Sequence, residues 1–324
     1  MKSVTSERSS SINQRGVALM LVLWLIVVLG VIAAAVVALS RSQTNLVQTM
    51  RSRTVARYAA ESGVVAATLR LKEMVGSARG PDEQVRAFRD FEEELMNWGE
   101  RSLGSARYQV AVTDLNARVD LNNSSEELLL GLFEQFFGAN EATALVNALR
   151  DWVDDDDEAL PDGAEAADYV GAGSPFLPPN GPIQRLDELT RIRGFSDSIA
   201  GVIAPYVTVW SDGRVNVNSA PLPVLAAAPE LGPSGAEMLV AARERGDVLA
   251  SKIVLSSRLR EAGRNIGGQL SNLTTVPGYI LIVSRGWEDG RPLTHEIQAV
   301  FQVHGLQLED GPRLQVRYWT ERDL

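Results

Sequence analysis

An unbroken apolar run near the amino terminus constrains this chain more than any other feature. Val17–Leu39 reads VALMLVLWLIVVLGVIAAAVVAL, 23 residues without a charge. As an α-helix it spans about 34 Å, the thickness of one hydrocarbon core. It is too long for the core of a secretory signal peptide, and no small-x-small cleavage site follows it. A single membrane-spanning helix is therefore predicted. A polar leader, residues 1–16 (MKSVTSERSSSINQRG), precedes it with Lys2, Arg8 and Arg15 against Glu7. That basic leader favours a cytoplasmic start. Arg41, Arg51, Arg53 and Arg57 on the other flank keep charge counting from setting the orientation.

Helical character continues past the membrane, because Ser40–Met74 contains no proline. Val47, Met50, Thr54, Tyr58, Val65 and Leu69 recur every three or four residues and predict an apolar stripe for a sheet to cover. Gly76–Pro81 predicts a break, and a second helix is expected over Asp82–Trp98. Arg107–Thr113 alternates and is rich in β-formers, so it predicts a strand. Three more strands are expected at Tyr279–Arg285, Thr294–Val303 and Arg313–Trp319. Glu288-Asp289-Gly290 and Glu309-Asp310-Gly311 are turn signals between them. The fold class is α+β: a long amino-terminal helix on an antiparallel sheet whose strands flank a large central insert.

The insert is mainly helical and carries an internal repeat. One copy opens on Arg118-Val119-Asp120-Leu121-Asn122, the other on Arg214-Val215-Asn216-Val217-Asn218-Ser219-Ala220-Pro221. Each short extended segment ends at a residue able to cap the following helix, and Pro221 suits a first turn. Leu128–Leu130 and Ala144–Trp152 mark helices of the first copy; Val224–Ala226 and Ala236–Arg243 mark those of the second. Leu186–Gly194 and Leu270–Gly278 read as matching leucine-rich turns, and Gly267-Gly268 as a loop. The expected divisions are 1–16, 17–39, 40–118, 119–209, 210–275 and 276–324: leader, membrane helix, first part of the core, two helical modules, and carboxy-terminal strands.

The chemistry is sparse. The chain has no cysteine, which removes disulfides, thiolate nucleophiles and Cys-type metal sites. A net charge of −10 argues against a phosphate-backbone partner, so no nucleic acid is expected. No H-E-x-x-H, G-x-S-x-G or P-loop occurs, and no enzymatic activity is expected. His295-Glu296 reads as a surface strand pair, Trp152 as a packing residue, and Asn216 and Asn218 as local backbone partners. One constellation stands out. Asp151–Asp168 holds nine carboxylates and no base. Such crowding is relieved by hard cations, and Ca²⁺ takes carboxylate oxygens. Asp151, Asp154, Asp156, Glu158 and Asp162 are the candidate ligands, in a spacing unlike an EF-hand; a solvated acidic loop is the alternative.

Several motifs carry a family resemblance. The basic leader ending in Arg15-Gly16 resembles a type IV prepilin leader, cut between Gly16 and Val17 by a prepilin peptidase and then methylated. Arg57-Tyr58-Ala59-Ala60-Glu61-Ser62-Gly63 resembles the same region of pilin-like first helices. Leu21 stands at the fifth mature position, where most of those proteins have Glu. With the D-x-N-A-R-V-D-L-N run (Asp114–Asn122), the acidic run Asp151–Glu158, F-L-P-P-N (Phe176–Asn180), L-D-E-L-x-x-I-x-G (Leu186–Gly194) and V-N-V-N-S-A-P (Val215–Pro221), the chain resembles the minor pseudopilin K family of type II secretion. That resemblance implies a pilin-like core with two SAM-like, helix-hairpin-helix-like modules. It implies a place at the pseudopilus tip with minor pseudopilins I and J, near minor pseudopilin H and the major pseudopilin. It also implies a single inner-membrane pass, a periplasmic bulk, contact with secreted substrates or the outer-membrane channel, and calcium in the insert.

Two rival readings stay open on sequence. The V-N-V-N-S-A run with paired helices also resembles helix-hairpin-helix modules of membrane-anchored DNA-binding proteins, although Leu231-Gly232-Pro233 replaces their G-x-G hairpin. A minor pilin of a type IV pilus is the other.

Overall fold

A computed structural model describes residues 14–261, 263, 270–304 and 312–324. Residues 1–13 of the leader, Gly267-Gly268 and Glu309-Asp310-Gly311 lie outside the described residues. The chain divides into two compact units, Met1–Thr54 and Val55–Leu324. The elements, in chain order, begin with α1 (Gln14–Gly76), α2 (Pro81–Asn97), β1 (Arg101–Leu103), β2 (Ala106–Asp114) and β3 (Val119–Asp120). Next come α3 (Glu126–Phe137), α4 (Ala139–Val153), α5 (Ala166–Gly171), α6 (Asp197–Ile203), β4 (Val207–Thr208) and β5 (Val215–Asn216). The remainder is α7 (Leu222–Ala227), α8 (Gly232–Glu244), α9 (Lys252–Glu261), β6 (Leu273–Thr274), β7 (Tyr279–Glu288), β8 (Thr294–His304) and β9 (Arg313–Asp323).

The first unit is the amino-terminal part of α1. Its Gly16–Ser40 stretch, 25 residues at a mean hydropathy of 3.1, is long and apolar enough to cross a membrane, and none of it is buried among the described residues. Gly16 and Val17 are exposed on this helix, as is Leu21.

The second unit holds the sheet. Five strands run in the order β1-β2-β7-β8-β9, every neighbouring pair antiparallel. The whole insert therefore sits in the crossover from β2 to β7. The four predicted strands are all present, each slightly longer than expected, and Gly290 at φ 73° closes the predicted turn between β7 and β8. Gly occupies that left-handed position without a Cβ clash.

The α1 stripe is not the expected one. Tyr58, Val65 and Leu69 are 62%, 55% and 60% exposed, and Val47 and Met50 are exposed as well. The buried face of α1 in this unit is Ala56, Ala59, Ala60, Val64, Ala67, Leu71 and Val75. Close approach decides it. A Cβ on Gly286 of β7 would strike the backbone of Ala56 and Ala60, and one on Gly63 would strike Ser284 Oγ and the Tyr108 ring. Helix and strand touch backbone to backbone there, so only Ala and Gly fit the seam, and the larger side chains are turned outward. Above the seam, Val64, Leu71 and Val75 join Phe88, Phe91 and Leu95 of α2 and Ile280, Ile282 and Ile297 of the sheet in one core. Pro81 starts α2, with Asp82 and Glu83 in its first turn where they favour the helix dipole.

A second core fills the insert. It runs continuously from Val119 and Leu121 through Leu128, Leu132, Phe133, Leu149 and Trp152 to Val224, Leu225, Leu239 and Leu273. Gly131 of α3 lets that helix close on α7, since a Cβ there would sit 2.5 Å from Ala227 O. Each half of the insert is closed by a two-residue parallel bridge: Val119↔Val207 with Asp120↔Thr208, and Val215↔Leu273 with Asn216↔Thr274. The two halves are thus closed alike, but the matching ends differ from those expected. Leu186–Arg191 is a 3-10 turn before α6, whereas Leu270–Gly278 contains β6. The structural counterpart of β6 is β4, because both close a module by pairing with its opening strand. Capping also differs: Ser125 caps α3 through Leu128 N (3.3 Å), and Pro221 precedes α7 with no side-chain cap.

Candidate functional site

The two opening segments of the repeat fold around asparagines used as staples. Asn122 Oδ1 accepts from Ile183 N (2.8 Å), and its Nδ2 donates to Ile183 O (2.9 Å) and Val209 O (3.2 Å). Asn218 does the same one module later. Its Oδ1 accepts from Leu249 N (3.2 Å), and its Nδ2 donates to Leu249 O (2.9 Å) and Thr275 O (2.8 Å). An amide offers a donor and an acceptor on one rigid plane, so each Asn closes a loop that no regular element holds. Asp120 completes the first copy by accepting from Asn122 N, Asn123 N and Ser211 N at 2.9, 2.8 and 2.5 Å.

A third asparagine, missed in the sequence, joins the insert to the sheet. Asn116 Oδ1 accepts from Gly278 N (2.8 Å) and Tyr279 N (3.0 Å), and its Nδ2 donates to Asp212 Oδ1 and Arg214 O (2.8 Å each). It therefore ties the exit of β2, the linker between modules and the start of β7 at one point. Beside it Asp114, buried, accepts from Asn116 N (2.8 Å), Asn216 Nδ2 (2.7 Å) and Ser219 Oγ (2.5 Å). Burial outweighs these bonds and pushes Asp114 up to about 6. Across a cavity of about 250 Å³, Glu92 of α2 faces the same group. Burial, and then the Asp114 charge, push Glu92 up to about 7. Arg243 lines this cavity but donates to Ala220 O (2.7 Å).

The acidic loop leaves α4 at its carboxy end. Asp151, fully buried, is the hub of the turn: it accepts from Leu160 N at 3.2 Å, and a Cβ on Gly163 would strike its carboxylate. Trp152 is buried beside it, edge-on to Tyr169 at 5.5 Å between ring centres. Of the five candidate ligands the structure brings Asp154 and Asp156 together, and adds Glu165, which sequence reasoning passed over. One oxygen from each lies within 4.8 Å of the others. Both oxygens of buried Glu165 and Oδ1 of Asp154 lack a hydrogen-bond partner among the described residues. Burial and the neighbouring carboxylates raise Asp151, Asp154 and Glu165 above the usual carboxylate range. Glu158 and Asp162 are exposed and outside this cluster; Asp162 takes a left-handed turn at φ 63°. Asp151 stands behind the cluster, committed to backbone N–H groups. Glu165 carried one sequence signal: it lies just ahead of a short helix at the end of the acidic run, where its side chain turns back.

The spacing suits a hard cation. Two oxygens that each bind Ca²⁺ at about 2.4 Å lie at most about 4.8 Å apart. Orphaned buried carboxylate oxygens are what such an ion satisfies. The residues present therefore fit calcium.

His295 and Glu296 are not a surface pair, because both are buried. They point to opposite faces of β8, as strand alternation requires. His295 sits between Asp323 (2.7 Å) and Glu321 (3.0 Å), and Glu321 also meets Arg57 of α1 at 3.0 Å. Glu296 is held by Arg285 and Arg322 at 2.7 Å each. Burial disfavours its charge, but the two guanidiniums hold it below the usual carboxylate range.

Comparisons with known proteins agree with the motif reading. Residues 110–212 match the family described as Type II secretion system (T2SS), protein K. The chain is 27% identical over 225 residues to Type II secretion system protein K of Klebsiella pneumoniae, covering 64% of this chain and 66% of that protein. It is 31% identical over 146 residues to the protein of the same name from Aeromonas hydrophila, covering 43% and 41%. The chain thus matches just under two thirds of the first relative's length and less of the second. Among solved structures it superposes on a chain of the GspK–GspI–GspJ complex from enterotoxigenic Escherichia coli. The TM-score is 0.57 at 16% identity, over 87% of this chain and 99% of that one. At that identity the likeness speaks for the fold, and it bears out the α+β arrangement of amino-terminal helix and antiparallel sheet.

Proposed function

We propose that this chain, whose residues 110–212 match the family described as Type II secretion system (T2SS), protein K, is a minor pseudopilin acting at the tip of a secretion pseudopilus. One observation carries the reading. The family match covers the end of β2, the Asn116 junction and the first module, the stretch that hangs a helical head on a pilin-like sheet. Ahead of it in the sequence comes a helix of membrane length, unburied among the described residues.

The mechanism follows from burial. The exposed apolar helix is stable in the inner membrane, with the bulk of the chain in the periplasm. Once the leader is removed between Gly16 and Val17, the helix leaves lipid for a bundle of pseudopilin helices. Gly30 and Ala33–Ala35 give room for close packing there. Leu21 supplies no carboxylate for the amine of a further subunit, which suits a position that no later subunit occupies. The solved relative in its complex with GspI and GspJ supports minor pseudopilins I and J as partners. Minor pseudopilin H and the major pseudopilin lie below. The helical head is left free to meet secreted substrates or the outer-membrane channel. Asp154, Asp156 and Glu165, with Asp151 behind them, would hold calcium in that head, and the ion would supply charge neutralisation to the acidic loop.

The test is replacement of Gly16 by Ala in the cell. The expected result is an uncleaved precursor and loss of export, with the precursor still in the inner membrane. Normal processing and export in that strain would refute the reading.

A further inference from the structure

A half-buried cation stands at the head of the insert, without a counter-charge among the described residues. Arg118 follows the Leu115–Ala117 turn and enters β3. Its guanidinium has no hydrogen bond or ion pair among the described residues, and burial alone depresses its basicity. It lines a groove of about 350 Å³ between the first module and the face of β7–β9 that points away from α1. The floor is aliphatic, Leu281 and Val300. One wall is aromatic, with Trp210 and Tyr318 rings 5.1 Å apart at 32°.

The carboxylates in this groove are already committed. Asp187 is held by Arg185 at 2.9 Å, and Glu296 by Arg285 and Arg322. An unpaired guanidinium among apolar walls is costly, and one incoming carboxylate removes the cost with two parallel bonds. Gln184 and Gln298 add amides, the groups that pair with main-chain N–H and C=O. Cation, apolar floor, aromatic wall and amides together match a stretch of polypeptide better than a free acid.

We propose that this groove docks an extended segment of a partner protein, placing one Asp or Glu carboxylate on Arg118 and an apolar neighbour against Trp210 and Tyr318. The proposal does not rest on the pseudopilus reading, because it uses only the groove's own residues.

The test uses the full chain in detergent micelles with ¹⁵N-arginine, titrated with acetyl-Leu-Glu-Leu-Phe-amide and its Gln analogue. The Arg118 side-chain N–H signal is expected to shift saturably. The Glu peptide is expected to bind at least about ten-fold tighter than the Gln peptide, a difference of about 1.4 kcal/mol. Arg118→Met should erase that difference without lowering Tm, since the arginine has no internal partner to lose. Equal binding of the two peptides would overturn the proposal. So would sodium acetate matching the Glu peptide, or a large fall in Tm in Arg118→Met, which would mark the arginine as structural.

Discussion

Replacing Glu92 by Gln tests the junction between sheet and insert through its electrostatics. The Glu92 carboxyl is raised from 4.5 to about 7 by burial and by Asp114. A carboxyl raised on folding binds its proton more tightly in the folded state. Its contribution to stability is therefore complete below about pH 4.5 and is lost as pH rises to about 7. A rise from 4.5 to about 7 corresponds to about 3 kcal/mol, at about 1.4 kcal/mol for each tenfold in proton affinity. Gln keeps the shape and never ionises. Glu92→Gln is thus expected to match the parent at pH 4.5 and to exceed it by about 2–3 kcal/mol at pH 8, where Asp114 is ionised as well. For a folded unit of this size that is roughly 5 °C in Tm. The assay is thermal unfolding of the full chain in micelles, followed by circular dichroism from pH 4.5 to pH 8. An equal offset at both ends of the range would refute the argument. A variant less stable than the parent at pH 8 would also refute it.

Two further outcomes test other parts of the molecule. Calcium at a hundredfold excess over its Kd should stabilise the parent by about 2.7 kcal/mol relative to chelator, and Glu165→Gln should lose most of that gain in the same melts; an undiminished gain would remove Glu165 from the site. Asn218→Ala deletes three hydrogen bonds and orphans Leu249 N–H, so its urea unfolding should lose about 2–4 kcal/mol, and a loss below about 1 kcal/mol would deny the staple its role.

Much of the fold is legible in local pattern. Val17–Leu39 announces a membrane-length helix because nothing else tolerates so long an apolar run. The alternation of β2, β7 and β8 marks strands because one face of each meets a core. The V-x-x-N segments mark the repeat because each needs an Asn to close its loop. The candidate site is legible only as a region. The acidic run shows where carboxylates crowd, but Asp151 is spent on backbone N–H groups, Glu158 and Asp162 face solvent, and Glu165 swings inward from a helix start. Spacing along the chain does not carry those directions.

By itself, then, the sequence determined the class of the molecule: a helix of membrane length, an antiparallel sheet interrupted by a helical insert, and a concentrated negative charge. Those depend on period, length and composition, which are local quantities. Tertiary structure alone decided which face of α1 is buried, since that turns on Gly63 and Gly286 meeting across a backbone seam. It alone made Asn116 the joint of three segments and left Arg118 without a partner among the described residues. Such facts depend on which residues distant in the chain meet, and no single segment contains them.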